Sequence, residues 1–157
     1  MRALILAAVV ATWHPFTTFY AAGDNDPAPS RTIAYPKSDG FPTVHDKAGG
    51  IGTWANPVTF ATDPHELKPG TRIYLPRLRK YFVMEDGCTS CTRAWRHGKK
   101  RQIDLWAGAY SGKALTHCEY ALTLSAGQET VIVHASPGRG VDLRPLYSPK
   151  TGCWTGT

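Results

Sequence analysis

Asp104 stands between Ile103 and Leu105, with Trp106 close behind. A carboxylate among such neighbours is partly desolvated, and loss of water favours its protonated form. The group can then hold a proton near neutrality and deliver it as a general acid. Alternation along a strand allows a plainer arrangement, with Ile103 and Leu105 inward and Asp104 in solvent. Asp86 is the second acid to consider, in Glu85-Asp86-Gly87 behind the β-forming run of residues 81–84. That is the ordinary setting of an aspartate that hydrogen-bonds its own turn. Across a cleft from Asp104 it would instead be a base or an electrostatic stabiliser, completing the carboxyl pair of glycoside-cleaving chemistry. The linear sequence leaves their separation open, and with it retaining, inverting or one-acid chemistry. His65 and His117 have no sequence neighbours that assign them a role.

Between the two acids runs a cationic segment, residues 93–101, reading RAWRHGKKR. Arg96, Lys99 and Lys100 would attract an anionic polymer, while Trp95 and Trp106 offer flat apolar faces for sugar rings or aromatic groups. A solvated basic loop is the alternative reading of the same charges.

Cys88, Cys91, Cys118 and Cys153 suit an oxidised secreted domain with two disulfides, for which three pairings exist. Spacing favours a bridge from Cys88 or Cys91 to Cys118, joining the cationic loop to the strand after it, while Cys153 ties down a Gly- and Pro-rich tail. Zinc is disfavoured because Cys88-x-x-Cys91 has no second pair at knuckle spacing. Thioredoxin-type redox chemistry is disfavoured because no βαβ pattern surrounds the pair. No metal and no cofactor is expected.

The elements that must position these groups read as short strands and long turns. The chain has 157 residues, 15 of them Gly and 12 Pro, and no window keeps an i, i+3, i+4, i+7 apolar repeat over three turns. An apolar share of 42% suffices for one domain with a core. The amino terminus reads as an export leader: Met1-Arg2 precedes an apolar run over residues 3–11, too short to cross a bilayer, with cleavage near Ala11 or Ala22. The alternative is that this run is a buried element of the fold. Residues 1–22 are thus assigned to a signal peptide, 23–30 to a polar linker and 31–157 to the folded domain. Strand-like segments fall at 32–35, 58–61, 71–75, 81–84, 102–106 and 129–135, and residues 114–124 mix strand and cysteine signals. Gly50 and Gly52 permit backbone angles that other residues resist. No segment after the leader reads as a transmembrane helix. The net charge of +6 favours anionic partners, which for a secreted chain are wall polymers, acidic glycans or phospholipid head groups rather than nucleic acid.

Five segments occur in a telling order: Gly50-Ile51-Gly52-Thr53, Asn56-Pro57-Val58-Thr59-Phe60-Ala61, Pro69-Gly70-Thr71-Arg72-Ile73-Tyr74, Glu85-Asp86-Gly87-Cys88 and Ile103-Asp104-Leu105-Trp106. Over about residues 31–123 this order resembles the double-psi β-barrel superfamily, which includes rare lipoprotein A-like proteins, expansins, barwins and family 45 endoglucanases. The likeness is greatest to the secreted, stand-alone rare lipoprotein A-like domains. The resemblance implies a mainly β, six-stranded double-psi barrel with long loops and little helix. It matches Asp104 to the groove aspartate of the polysaccharide site and Asp86 to the aspartate of the rare lipoprotein A turn, in an open groove with Tyr35, Trp54 and Trp106.

The expectation is a secreted, monomeric protein that binds a cell-wall polysaccharide or other anionic glycan. As a hydrolase or lytic transglycosylase-like enzyme it would cleave or loosen a β-linked chain of the peptidoglycan, chitin or cellulose type, with Asp104 as general acid. Asp39, Asp46 and Asp63 are available as its partner. The alternative is a protease inhibitor or a secreted effector acting by protein binding. Charge alone would also suit a cationic protein at anionic membranes.

Overall fold

A computed structural model describes residues 8–157; residues 1–7, which carry much of the apolar run of the expected leader, lie outside the described residues. Seven strands form one mixed, strongly curled sheet. They are β1 (Ala11–Trp13), β2 (Phe16–Ala21), β3 (Val58–Thr62), β4 (Arg72–Leu75), β5 (Lys80–Gly87), β6 (Gln102–Gly108) and β7 (Val131–Val133), in the order β1-β7-β4-β5-β3-β6-β2. A small hairpin of β8 (Tyr147–Ser148) and β9 (Gly152–Cys153) stands apart in the tail. The chain is mainly β, as its sequence predicts, with seven strands in the sheet where six were expected.

β5 is the centre of the core. Its residues from Lys80 to Asp86 are all buried: the run of residues 81–84 suits a strand covered on both faces, and the charged Lys80, Glu85 and Asp86 are buried with hydrogen-bond partners. β3, its parallel neighbour, is likewise buried throughout. Phe60, Phe82, Met84 and Leu105 are fully enclosed between them. Ahead of β3 the chain turns through Gly50, whose φ is 96° and where a Cβ would lie 1.9 Å from the Pro57 carbonyl oxygen, so only glycine fits.

Several sequence expectations change. β2 pairs in parallel with β6, and Phe19, Tyr20, Ala21 and Ala22 are core residues, so the folded unit takes in residues 11–30 rather than starting at Arg31. Cleavage near Ala22 would remove β2, whereas cleavage near Ala11 would spare it. An apolar strand and an export h-region are written with the same residues, which is why composition alone did not separate them. Residues 32–35 form no strand. The cationic loop is in part a helix, α1 (Thr89–Arg96), and the mixed segment is a helix, α2 (Lys113–Leu122), which turns Leu115, Cys118, Glu119 and Leu122 inward.

The disulfides are Cys88–Cys91 and Cys118–Cys153, not a bridge from the first pair to Cys118. Chain entropy favours long loops, but Cα separations of 5.1 and 5.4 Å decide which sulfurs meet. Cys88–Cys91 only closes the first turn of α1. Cys118–Cys153 fastens the tail to α2 across 35 residues, a closure worth about 4 kcal/mol in the chain-entropy picture.

Candidate functional site

Four adjacent strands bring the two predicted acids together. Asp86 on β5 and Asp104 on β6 both pair with Ala61 of β3, and Asp104 pairs on its other side with Thr18 of β2. Residues opposite one another in neighbouring strands share a face, so Thr18, Asp104, Ala61 and Asp86 make one row with a single methyl group between the acids. The register against β5 passes from Met84 to Asp86, leaving Glu85 as the extra residue of a bulge that re-aims both carboxylates. Tyr20, two residues beyond Thr18, donates its hydroxyl to Asp86 Oδ2 at 2.9 Å and meets the Trp106 ring edge-on at 5.2 Å.

The two acids live in different conditions. Asp86 is buried and already engaged: its oxygens accept from Tyr20, from the Ala34 N–H at 2.9 Å and from the Gly87 N–H at 2.8 Å. Burial raises its pKa, and those three donors oppose the rise. Asp104 keeps some solvent contact and accepts one hydrogen bond, from Thr18 Oγ1 at 2.8 Å. Burial, with the nearby negative charges of Asp24 and Asp86, pushes it up to about 6. Burial and Asp86 also hold the Tyr20 phenol well above its ordinary value.

A further carboxyl approaches from α2. Glu119 is buried, its Oε1 has no hydrogen-bond partner among the described residues, and burial followed by the charges of Asp24 and Asp104 pushes it up to about 7. Asp24, just past β2, accepts the Ala21 N–H at 2.7 Å and shares with Glu119 a recess of about 110 Å³ that also takes in Ser111 and Thr116. Asp24 and Glu119 went unnoticed in the sequence because one lies in the supposed linker and the other in a segment read as part strand. An acid on the apolar face marked by Leu115, Cys118 and Leu122 was the available signal. The carboxylates that act on Asp104 are Asp24 and Asp86; Asp46 instead accepts the Ser38 N–H at 2.7 Å, and Asp63 holds His65 through its backbone N–H at 2.8 Å and its ring at 3.0 Å.

Of the expected binding residues, Tyr35 stands near Asp86. Its backbone N–H bonds Glu85 O at 2.9 Å and its ring packs edge-on against Phe41. Trp106 is nearly buried and forms part of the wall behind Tyr20. Trp54 is not in the groove. It packs against Tyr81, on the part of the sheet where Arg72 covers its ring at 4.8 Å. Trp95 lies on α1 with Lys99 over one face at 4.9 Å, and Arg96, Lys99 and Lys100 are exposed and enter no salt bridge among the described residues.

Glu85 is a hub that the sequence reading took for a turn signal. Fully buried, it accepts four donors: the N–H groups of Val44 and His45, the His45 ring and the Thr59 hydroxyl, at 2.7 to 2.8 Å. The other His45 ring nitrogen faces Asn56 Oδ1 at 2.7 Å, and the hydrogen bond to Glu85 raises the His45 pKa. This network staples the long loop ahead of β3 to the end of β5.

The model of a family described as the DDB_G0273701 N-terminal domain matches residues 12–154. The chain belongs to that family. A similar protein, "Uncharacterized protein DDB_G0273701/DDB_G0273221" of Dictyostelium discoideum, is 42% identical over 138 residues, covering 86% of this chain and 56% of its own length. The chain thus spans little more than half of that relative. No solved structure matches. The stretch that defines the family includes β2 with Thr18 and Tyr20 and α2 with Glu119, so the whole groove lies inside it.

Proposed function

We propose that this domain binds a glycan at the acid groove and cleaves or loosens a glycosidic bond there, with Asp104 as proton donor. The observation that carries the reading is the condition of Asp104: partly open to solvent, held by Thr18 alone, and protonated up to about pH 6. Its proton passes to the glycosidic oxygen as the carbon–oxygen bond breaks and the electron pair leaves with that oxygen, while a water adds to the anomeric carbon and gives its proton to ionised Glu119. Glu119, half protonated near pH 7, is the second acid–base group of the groove. Asp86, whose oxygens are already engaged, acts as a positioning residue by holding Tyr20. Thr18, Ser111, Thr116 and Asp24 supply hydrogen bonds for sugar hydroxyls, and Arg96, Lys99 and Lys100 draw in an anionic polymer. The resemblance to the double-psi β-barrel groove supports the same assignment of Asp104, as does the curl of a mainly β sheet around it. The two disulfides suit an oxidising, extracellular setting, and among the described residues no helix is long and apolar enough to cross a membrane.

The test is retention and cleavage of peptidoglycan, chitin and cellulose by the oxidised chain, with released products read by mass spectrometry. Asp104→Asn is expected to retain binding and lose activity by about 10²-fold or more. Full activity of Asp104→Asn on every active substrate sinks the mechanism. A tight stoichiometric complex with a protease and no glycan retention replaces it with a protein-binding role.

A further inference from the structure

Away from the acids, a cleft of about 330 Å³ opens between the long loop ahead of β3, the end of β6 and the tail. Its aromatic walls are Trp106, Tyr110 and Tyr147, and its two charged side chains, Arg31 and Lys80, are both cationic. We infer that this cleft is a binding site for a small aromatic carboxylate.

Charge comes first. No Asp, Glu, Asn, Gln or His side chain lines the cleft, and neither Arg31 nor Lys80 has a carboxylate partner among the described residues. Lys80 is only 2% exposed, and its ammonium donates to the main-chain oxygens of Asp142 and Ile51. Arg31 spends its Nε on the Ala48 oxygen at 2.7 Å, and no hydrogen bond engages its two terminal nitrogens among the described residues. Besides these carbonyls Lys80 has the Trp154 ring at 5.5 Å and, beyond ion-pair distance, the Asp142 carboxylate, which is itself paired with Arg144; the buried cation is thus under-neutralised, and a carboxylate in the cleft supplies the missing charge. Burial lowers the Lys80 pKa to about 8, so the ammonium remains largely charged at neutrality.

The walls select the remainder of the ligand. With Ser148 as the one aliphatic hydroxyl on the lining and no carboxamide, a sugar would lose most hydrogen bonds of its own hydroxyl groups on entry. A bare inorganic anion would leave the apolar walls uncovered. Three exposed large hydrophobic residues, Ile51 at 49%, Tyr110 at 42% and Leu143 at 61%, also line this cleft, an apolar concentration that singly scattered surface residues do not make. The volume lies near the lower end of the range for ligand pockets, which suits one or two fused rings. Nothing in this inference requires the acid groove to be catalytic.

The experiment uses the oxidised full chain with indole-3-carboxylate and its neutral isostere indole-3-carboxamide, by calorimetry and by NMR shifts of the Trp106 indole N–H and the Tyr110 ring. The carboxylate is expected to bind saturably, at least tenfold tighter than the carboxamide, with shifts centred on the cleft. Arg31→Gln and Leu143→Glu, both at exposed positions, are each expected to weaken it at least tenfold while leaving the unligated spectrum folded. Equal affinity for the two probes, no binding of either, shifts centred elsewhere, or affinity unchanged in both variants overturns the inference.

Discussion

Asp104 and Lys80 lose water to the same kind of burial and come out with opposite readiness for chemistry. A carboxyl starts at 3.8, and burial carries Asp104 up to about 6, into the range where it exchanges protons near physiological pH. A lysine starts at 10.5, and burial carries Lys80 down to about 8, where most of its charge survives at neutrality. Desolvation thus makes the groove a place where protons move and the cleft a place where a fixed positive charge waits. Neighbours deepen the contrast. In the groove, Asp24, Asp86, Asp104 and Glu119 repel one another's ionised forms, whereas in the cleft the cations are anchored by neutral carbonyls.

The sharpest separation of the two regions should come from the tail. Replacing Cys118 and Cys153 by Ser is expected to cost about 4 kcal/mol in urea unfolding. Because Leu143 and residues 145–148 line the cleft, carboxylate binding there should fall by more than tenfold, while the titration of Asp104 stays in place. A loss under about 1 kcal/mol would mean that Trp154, which packs against the core with the Lys80 ammonium 5.5 Å from its ring, holds the tail without the bridge. Next in size is Asp86→Ala, which leaves Tyr20, Ala34 and Gly87 without their acceptor and is expected to destabilise by about 3 kcal/mol. Unchanged binding in the cleft would confirm that the groove's scaffold is separate.

The response to pH divides the regions by sign. Glu66, which is buried beyond the end of β3 and accepts the Thr62 hydroxyl at 3.1 Å, moves with Glu119 from 4.5 to about 7, and Asp104 from 3.8 to about 6, so the folded state binds more protons than the unfolded chain between those values. Stability therefore falls as pH rises from about 4 to about 7. The raised His45 acts in the same direction: its contribution is complete below 6.5 and is lost as pH passes its folded value. Lys80 is lowered, so the unfolded chain binds more protons between about 8 and 10.5, and stability recovers there. The unfolding free energy from urea titration is expected to be higher at pH 5 than at pH 7.5, by about 1 to 2 kcal/mol after allowance for solvent screening. A rise over that interval would show that the carboxyls are wetter than the groove suggests. The smallest effect is electrostatic: Glu119→Gln removes a negative neighbour and should lower the Asp104 pKa toward the ordinary aspartate value, visible in carboxyl ¹³C shifts.

How much of this was written in the sequence depends on the range of the interactions. β3, β4, β5 and β6 were legible because apolar, β-branched and aromatic runs bounded by Gly and Pro need only local information. Asp104 was legible as an acid among apolar neighbours, and its row with Asp86 follows once both strands flank β3. Tyr20 and Thr18 were not, because their strand has the composition of a leader and its partner lies over 80 residues away. Glu119 was hidden by the brevity of α2, whose apolar face spans too few turns to stand out. Glu85 looked like a turn residue because its four donors come from a loop some 40 residues earlier and from β3. The disulfide pairing is a purely three-dimensional fact, set by Cα distances that spacing does not report.

The Cys118–Cys153 bridge also decides how the molecule bears mechanical load. Tension applied beyond Cys153 bypasses the 35-residue span and arrives at Cys118 in α2, directly behind the groove strand β2. Stretched in the oxidised state, the chain should fall short of its reduced contour by about 120 Å, at roughly 3.5 Å for each residue in the locked loop. An anchor grafted to the tail would therefore pull on the wall of the acid groove and spare the tail residues 145–148 that line the cleft.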